Sequence, residues 1–557
     1  MGSETNLGLN LRCPTRMRFA SHSSAAVVMA GVFLTSPGQI GAAVIRAKSV
    51  SLGDVSSALA SASDGDTVLV PAGKVGWTSP LTITKGITLE GAGNDATVIL
   101  DDISREKHRE APPPRAPLFS KSLTSGAVGS PKMIQSILRI QLGSRQSFRL
   151  TGFTFQPGSL TIPGSYGVYI EGTCPSIRID HCHFDQIYRG EYLRTVGWLY
   201  GVVDHCVFDC RTRCQSMVIW HDGWGGHSDG DGSWADPPYF GSEKFIFIED
   251  NIINNVAGPT QTTASIDAWA GARYVCRYNT FNNTVATNHG LESSRRRRGC
   301  RVTEIYKNTF NFTRIPAVAG ISRSGAMLLY DNTWKGNPLS RGKALKCFRQ
   351  QYVFPPWGGA NGNNPWDSND PHGLYISGKH DGADASQKVV VANTGWAPNQ
   401  WAGFNLTNTT TGRFSFITSN TSDTITYFVD NSFGHPPTYM SFNKGDRFEI
   451  RKLLIALDQP GRGKGDLIAG GNDNPINTIT KSASWTHQAL EPVYSWNNTY
   501  EGTNVNVSNG DPPYPTLKEN RDFYNGTPMP GYKSYTYPHP LVSGSSISPN
   551  KSGPVGK

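Results

Sequence analysis

The chain has 557 residues, with 60 glycines, 36 prolines and only 17% charged residues. That is too long for one small core, and the turn-rich, charge-poor composition excludes a helical bundle or a disordered chain in favour of a β protein. A formal net charge of +9 favours an anionic partner. No zinc finger or basic helix argues for nucleic acid, so an acidic glycan ranks first among partners.

The N-terminus reads as an export signal. Arg16 and Arg18 precede an apolar stretch over residues 25–34, and Gly41-Ala42-Ala43 offers small residues for cleavage. Residues 1–43 are therefore expected to be a leader, with Met17 as an alternative start, and the mature chain secreted or periplasmic. The apolar core of that leader is too short to span a bilayer and no later segment is long enough, so no membrane partner is expected. Cys13 would leave with the leader. Cys174, Cys182, Cys206, Cys210, Cys214, Cys276, Cys300 and Cys347 remain. An oxidising compartment permits disulfides, but spacing leaves their pairing open.

Ser51 can cap a short helix around Val55 and Leu59. TVLVPAG and LTITKGITLEGAG then read as strands punctuated by glycine turns. From there a repeat dominates. SIRIDHCHF, GVVDHCVF, FIFIEDNII, RYVCRYNTF, RVTEIYKNTF, AMLLYDNTW and, much later, PVYSWNNTY share alternating apolar positions, then Cys or Asn, then usually an aromatic two residues on. The anchors are Cys182, Cys206, Asn251, Asn279, Asn308, Asn332 and Asn498, at steps of 24, 45, 28, 29, 24 and 166 residues. The usual step is one coil of a stacked β solenoid. One coil cannot bury its apolar face alone. Coils stacked about 4.8 Å apart pair their backbones and build a continuous core. The repeated Asn is expected to stack at a turn and bond successive backbones, with the aromatic stacked inside. The helix at Ser51 would cover the open end of the stack.

The opening DGDTVLVPAG…ITLEGAG, the IDHC segment and the Asn ladder resemble the pectate-lyase-like superfamily of right-handed parallel β-helix proteins. The resemblance covers roughly residues 48–334, with a return near 451–535. It implies an all-β, right-handed parallel β-helix with an N-terminal capping helix. The same fold hosts lyases, hydrolases, esterases and phage depolymerases, so it does not choose an activity. Residues 335–450 read as a small all-β insertion, since WAGFNLTNTTTGRFSFITSNTSDTITYFV alternates like strands. Residues 451–535 lead back to the solenoid and its C-terminal end, and residues 536–557 form an extended tail.

In the resembled superfamily, substrate lies along the sheet preceding the ladder strand. That sheet would comprise YGVYIEG, SMVIWHD, SIDAWAG, NHGLESS and AGISRSG, with Glu171, His221, Asp222, Asp267, Trp269, His289, Glu292 and Arg323 facing outward. Stacked coils would bring Asp267, His289 and Glu292 together. NHGLESSRRRRGCR follows directly, and Arg298 and Arg301 could neutralise a uronate carboxylate while a base removes the C5 proton for β-elimination. His289 is the simpler base, and Arg is the base in some resembled lyases. A solvated arginine turn is the bland alternative. Trp269, Arg295, Arg323, His221 and Trp224 are expected to bind substrate. A hydrolase would instead pair Asp267 with Glu292 or Asp222 as acid and base, but the polygalacturonase pattern is missing. A non-catalytic glycan-binding or adhesion protein is the third reading. No cofactor is required. The loop carrying Asp222, Asp229 and Asp231 is a candidate Ca2+ site or a plain polar loop. Asp180, Asp204 and Glu249 form another outward row, readable as a salt-bridged or a calcium ladder. The expected partner is an anionic polysaccharide, and the expected state a monomer.

Overall fold

The computed structural model describes residues 42–104, 136–159, 166–185, 191–210, 215–227, 230–256, 264–290, 298–314, 320–336, 343–345, 374–402, 404–427, 440–451, 458–465, 488–509 and 517–544. They are dominated by strands in large parallel sheets, as a β-solenoid requires. Ser51 caps the helix Leu52–Ser61 by accepting from the Asp54 amide, and Val55, Ala58 and Leu59 are buried in the main core. The Lys85 ammonium donates to the carbonyls of Leu59, Ala60 and Ala62 at the other helix end, where the dipole favours a cation.

The parallel strands fall into three series. The first runs through Leu81–Ile83, Ser136–Leu142, the start of Tyr166–Asp180, the start of Glu191–Asp204, Gln215–Trp220, Ala264–Trp269 and Val285–Ala286. The second takes the ends of the two long strands and continues through Ile246–Glu249, Arg273–Arg277, Val302–Tyr306, Ala326–Tyr330, Val493–Trp496 and Phe523–Asn525. The third stacks His183–Asp185, Val207–Cys210, Ile252–Asn255, Thr280–Asn282, Thr309–Phe312 and Thr333–Gly336. Up to Val285–Ala286 the chain visits the three series in turn; beyond it the second and third series continue without the first.

The anchor column forms. Oδ1 of Asn251 accepts from the Cys206 amide at 2.9 Å, and each next Asn repeats the contact on the Asn before it: Asn279 at 3.0 Å, Asn308 at 3.0 Å, Asn332 at 3.1 Å and Asn498 at 3.1 Å. The residue before each anchor turns the chain through a left-handed conformation. His181, His205, Asp250, Tyr278, Lys307, Asp331 and Asn497 have φ between 48° and 58°. Such a conformation costs roughly 1–2 kcal/mol for a side-chain-bearing residue, which the ladder bonds offset. Inside the turn, Phe184 stacks on Phe208, Phe281 on Phe310, and Phe310 on Trp334. The outward row at Asp180, Asp204 and Glu249 is a salt-bridged ladder: Arg149 holds Asp180, Arg178 holds Asp204 and Arg277 holds Glu249.

Parallel stacking continues past the last short step, since Lys343–Leu345 pairs with Gly320–Ser322 and with Ser508–Asn509. Strands between Leu374 and Arg451 form a separate antiparallel sheet with its own core, including Leu406, Ile417, Ile425, Phe442 and Ile450. Tyr532, Tyr535, Leu541 and Val542 pack on the outer side of the second series. Cys174, Cys182, Cys206, Cys276 and Cys300 are buried free thiols, whereas Cys210 is disulfide-bonded. Among the described residues no helix is long and apolar enough to cross a membrane.

Candidate active site

Period-two alternation decides which side chains leave the core on the first series. Leu138, Ile140, Val168, Ile170, Leu193, Met217, Ile219, Ile266 and Ala268 point inward. Their neighbours point outward and meet in register: Tyr169 beside Arg194, Arg194 beside Val218, Val218 beside Asp267. One step along, Val196 lies beside Trp220 and Trp220 beside Trp269. The next coil enters when the His289 amide donates to Ala268 at 2.9 Å. Nδ1 of His289 thereby meets Oδ1 of Asp267.

This pair has a defined electrostatic setting. Burial opposes ionisation of Asp267, but His289, Arg323 and the Ala268 amide outweigh it and hold the carboxyl below its usual range. Gln215 Nε2 donates to Oδ2 at 2.5 Å, and the Ala268 amide donates to Oδ1 at 2.9 Å. Asp267 is 1% exposed and His289 13%, so the imidazole is the member open to solvent. Trp269 stands edge-on to His289 with centroids 5.0 Å apart, and Trp220 lies 5.2 Å beyond it. The Arg194 guanidinium sits 4.3 Å over the Trp220 ring. Arg323 is anchored on Asn288, its Nε donating to the backbone oxygen at 3.1 Å. Glu171 lies farther along, tied to Arg139 at 2.9 Å and Gln141 at 2.5 Å.

Several expected site residues are elsewhere. Arg298 does not lean over this face. It is buried, bonded to Asp231 at 2.7 Å and to Asp458 at 2.7 and 3.1 Å. Arg301 is also buried, with Glu491 at 2.7 Å and the Asp236 carbonyl at 2.9 Å. A guanidinium whose donors are bonded inside the protein is not presented to a substrate carboxylate. His221 is buried with Nε2 on the Leu199 carbonyl, and burial together with Arg273 pushes its pKa down to about 3. Trp224 is buried between Trp198 and the Arg273 guanidinium. Of the loop's expected calcium set of Asp222, Asp229 and Asp231, Asp231 is buried and accepts from Arg298 through Oδ1. Asp229, Glu292 and Arg295 lie outside the described residues. The loop that holds Trp224, Asp231, Trp234 and Asp236 is thus a packed plug over Arg273, Arg298 and Arg301, with Trp234 Nε1 bonded to Gly299 at 2.8 Å.

Sequence reasoning misses Arg194 and Gln215. Arg194 occupies an outward position, and parity along EYLRTVG is a signal that could flag it. Gln215 shares its parity with the inward Met217, so alternation gives no signal for it. The strands Tyr166–Asp180 and Glu191–Asp204 run unbroken through two series, and that masks the coil boundary in the sequence. Asp458 and Glu491, the partners that bury the two arginines, return from 160 and 190 residues away and carry no local signal.

No family model matches the chain, and no curated protein matches it. Among solved structures, an alginate lyase from Paenibacillus sp. str. FPU-7 is similar at a TM-score of 0.29 and 11% identity, over 54% of this chain and 94% of that one. A superposition this loose says nothing about activity.

Proposed function

We propose that this chain is an exported polysaccharide lyase on a right-handed parallel β-helix, cleaving a uronate-containing polymer by β-elimination. The observation that carries this reading is the His289–Asp267 pair beside Trp269 on the outer face of the first series. In the proposed reaction Nε2 of His289 takes the C5 proton of a uronate. The electron pair left at C5 forms the C4=C5 double bond, the C4–O bond breaks, and the leaving oxygen takes a proton from water. Asp267, held ionised, orients the ring through Nδ1 and stabilises the imidazolium. Arg323, a cation whose charge acts on Asp267, is the candidate for the sugar carboxylate, and the partly exposed Trp269 offers a face for a sugar ring. A hydrolase would need a carboxyl kept protonated as acid. Asp267 is pushed the opposite way.

The test is a panel of acidic and neutral polysaccharides. The expected result is growth of the unsaturated-uronate absorbance with an acidic polymer, lost in His289→Ala while binding persists. New reducing ends without that absorbance would replace the reading with hydrolysis. Binding without turnover of any polymer would replace it with a glycan-binding role.

A further inference from the structure

The third series carries a second cluster of ionisable groups, away from His289. On the strand His183–Asp185, Phe184 points into the core, so His183 and Asp185 both point out. Asp209 on the neighbouring coil pairs in register with Asp185, and Phe208 beside it is again inside. One donor atom from each of His183, Asp185 and Asp209 lies within 4.8 Å of the other two. The set mixes an imidazole nitrogen with carboxylate oxygens, which suits a first-row transition ion better than calcium.

The surroundings independently orient these groups as ligands. Asn254 donates to Oδ1 of Asp209 at 2.7 Å, which leaves Oδ2 turned toward Nε2 of His183 at 2.8 Å. Gln156 donates to Oδ2 of Asp185 at 3.1 Å. The other imidazole nitrogen, Nδ1, lies 3.6 Å from Asp95. In metal sites the ring nitrogen away from the ion donates to an oxygen, and Asp95, exposed and just beyond hydrogen-bond distance, stands on the side of His183 where that oxygen is needed. Two donors of a tetrahedral zinc shell stand about 3.3 Å apart at bond lengths of about 2.0–2.1 Å. Admitting an ion between His183 and Asp209 therefore needs only about half an ångström of opening, by side-chain rotation on fixed strands.

We propose that His183, Asp185 and Asp209 bind one divalent transition-metal ion of the zinc type, stapling two adjacent coils. The ion takes Nε2 of His183 and one oxygen from each aspartate, with Asp95 behind the imidazole. The site lies on a different series from His289 and Asp267, so it is structural and stands whether or not the chain is a lyase.

The experiment uses the untagged full chain, stripped with chelator and titrated with Zn2+ at mildly alkaline pH by calorimetry and by melting. The expected result is one saturable site per chain and a Tm rise of several degrees at excess ion. His183→Gln and Asp209→Asn should each weaken binding at least about tenfold, while His205→Gln, in a neighbouring His–Asp pair, leaves it unchanged. If His183→Gln does not fold, Asp185→Asn carries the same expected loss. Absence of saturable binding by the wild type, or undiminished binding by the His183 and Asp209 variants, overturns the proposal.

Discussion

At the residue scale, the chemistry turns on how one imidazole is held. Asp267 accepts from His289, Gln215 and the Ala268 amide, so its negative charge is fixed and its oxygens cannot wander. Asp267→Asn keeps the shape but removes the charge that orients and stabilises the base. The expected outcome is a fall in kcat of more than about a hundredfold with KM nearly unchanged, read by initial rates on the polymer that the wild type eliminates. Trp269→Ala should do the reverse, raising KM with a smaller effect on kcat, because a stacking face contributes mainly to binding. A variant pair with these two patterns exchanged would remove Asp267 from its role.

At the element scale, the ladder and the plug are stability devices. Asn279 bonds in both directions: its Nδ2 reaches the Ile248 and Arg277 carbonyls and Oδ1 of Asn308, and its own Oδ1 takes the Asn251 amide. Asn279→Leu strands several buried groups at once and should cost at least about 2 kcal/mol in denaturant unfolding. Arg298→Gln should cost about 3–5 kcal/mol, since it leaves Asp231 and Asp458 buried with their cation removed. The same variant discriminates the two readings of that arginine. A substrate-binding residue would change KM and leave unfolding alone. A plug residue lowers the unfolding midpoint.

At the scale of the whole molecule, the chain end between Met529 and Val542 closes over the second series. Arg277 donates to the carbonyls of Tyr535 and Thr536, and Arg178 to that of Leu541. Beneath it, burial pushes Glu304 up to about 7, although Tyr532 and the Gly241 amide donate to it. A carboxyl with a folded pKa above its unfolded value favours the fold fully below the unfolded range, and loses that contribution as pH rises through about 7. His539 works against it. Burial, with Arg277 and Arg178 nearby, lowers its pKa to about 3, so stability falls as pH drops below the ordinary histidine range. Glu304→Gln stays neutral and should remove the loss of Tm that Glu304 brings as pH rises from about 4.5 to about 7, while leaving the loss due to His539 at acid pH in place. A profile unchanged between about pH 4.5 and 7 in that variant would show that Glu304 does not titrate there.

What the sequence determined by itself was periodic. The cap at Ser51, the coil step, the column from Cys182 to Asn498 and the inward aromatic beside it all depend on residues within one coil and on the fixed spacing between coils. Parity along SIDAWAG and NHGLESS also puts Asp267 and His289 on the same outward face, but their meeting is made by the segment after the strand Val285–Ala286, where the His289 amide bonds the Ala268 carbonyl. Tertiary structure alone decided the fate of the arginines. Whether Arg298 and Arg301 face solvent or the interior depends on Asp458 and Glu491, carried in by a return of the chain that no local pattern marks. It also decided that Trp224 and Asp231 belong to a packed plug, and that Arg194 stands over Trp220. Periodicity propagates through backbone hydrogen bonds between adjacent coils, so it is written locally. Burial of a charge is set by whichever opposite charge reaches it through space, and sequence distance does not encode that.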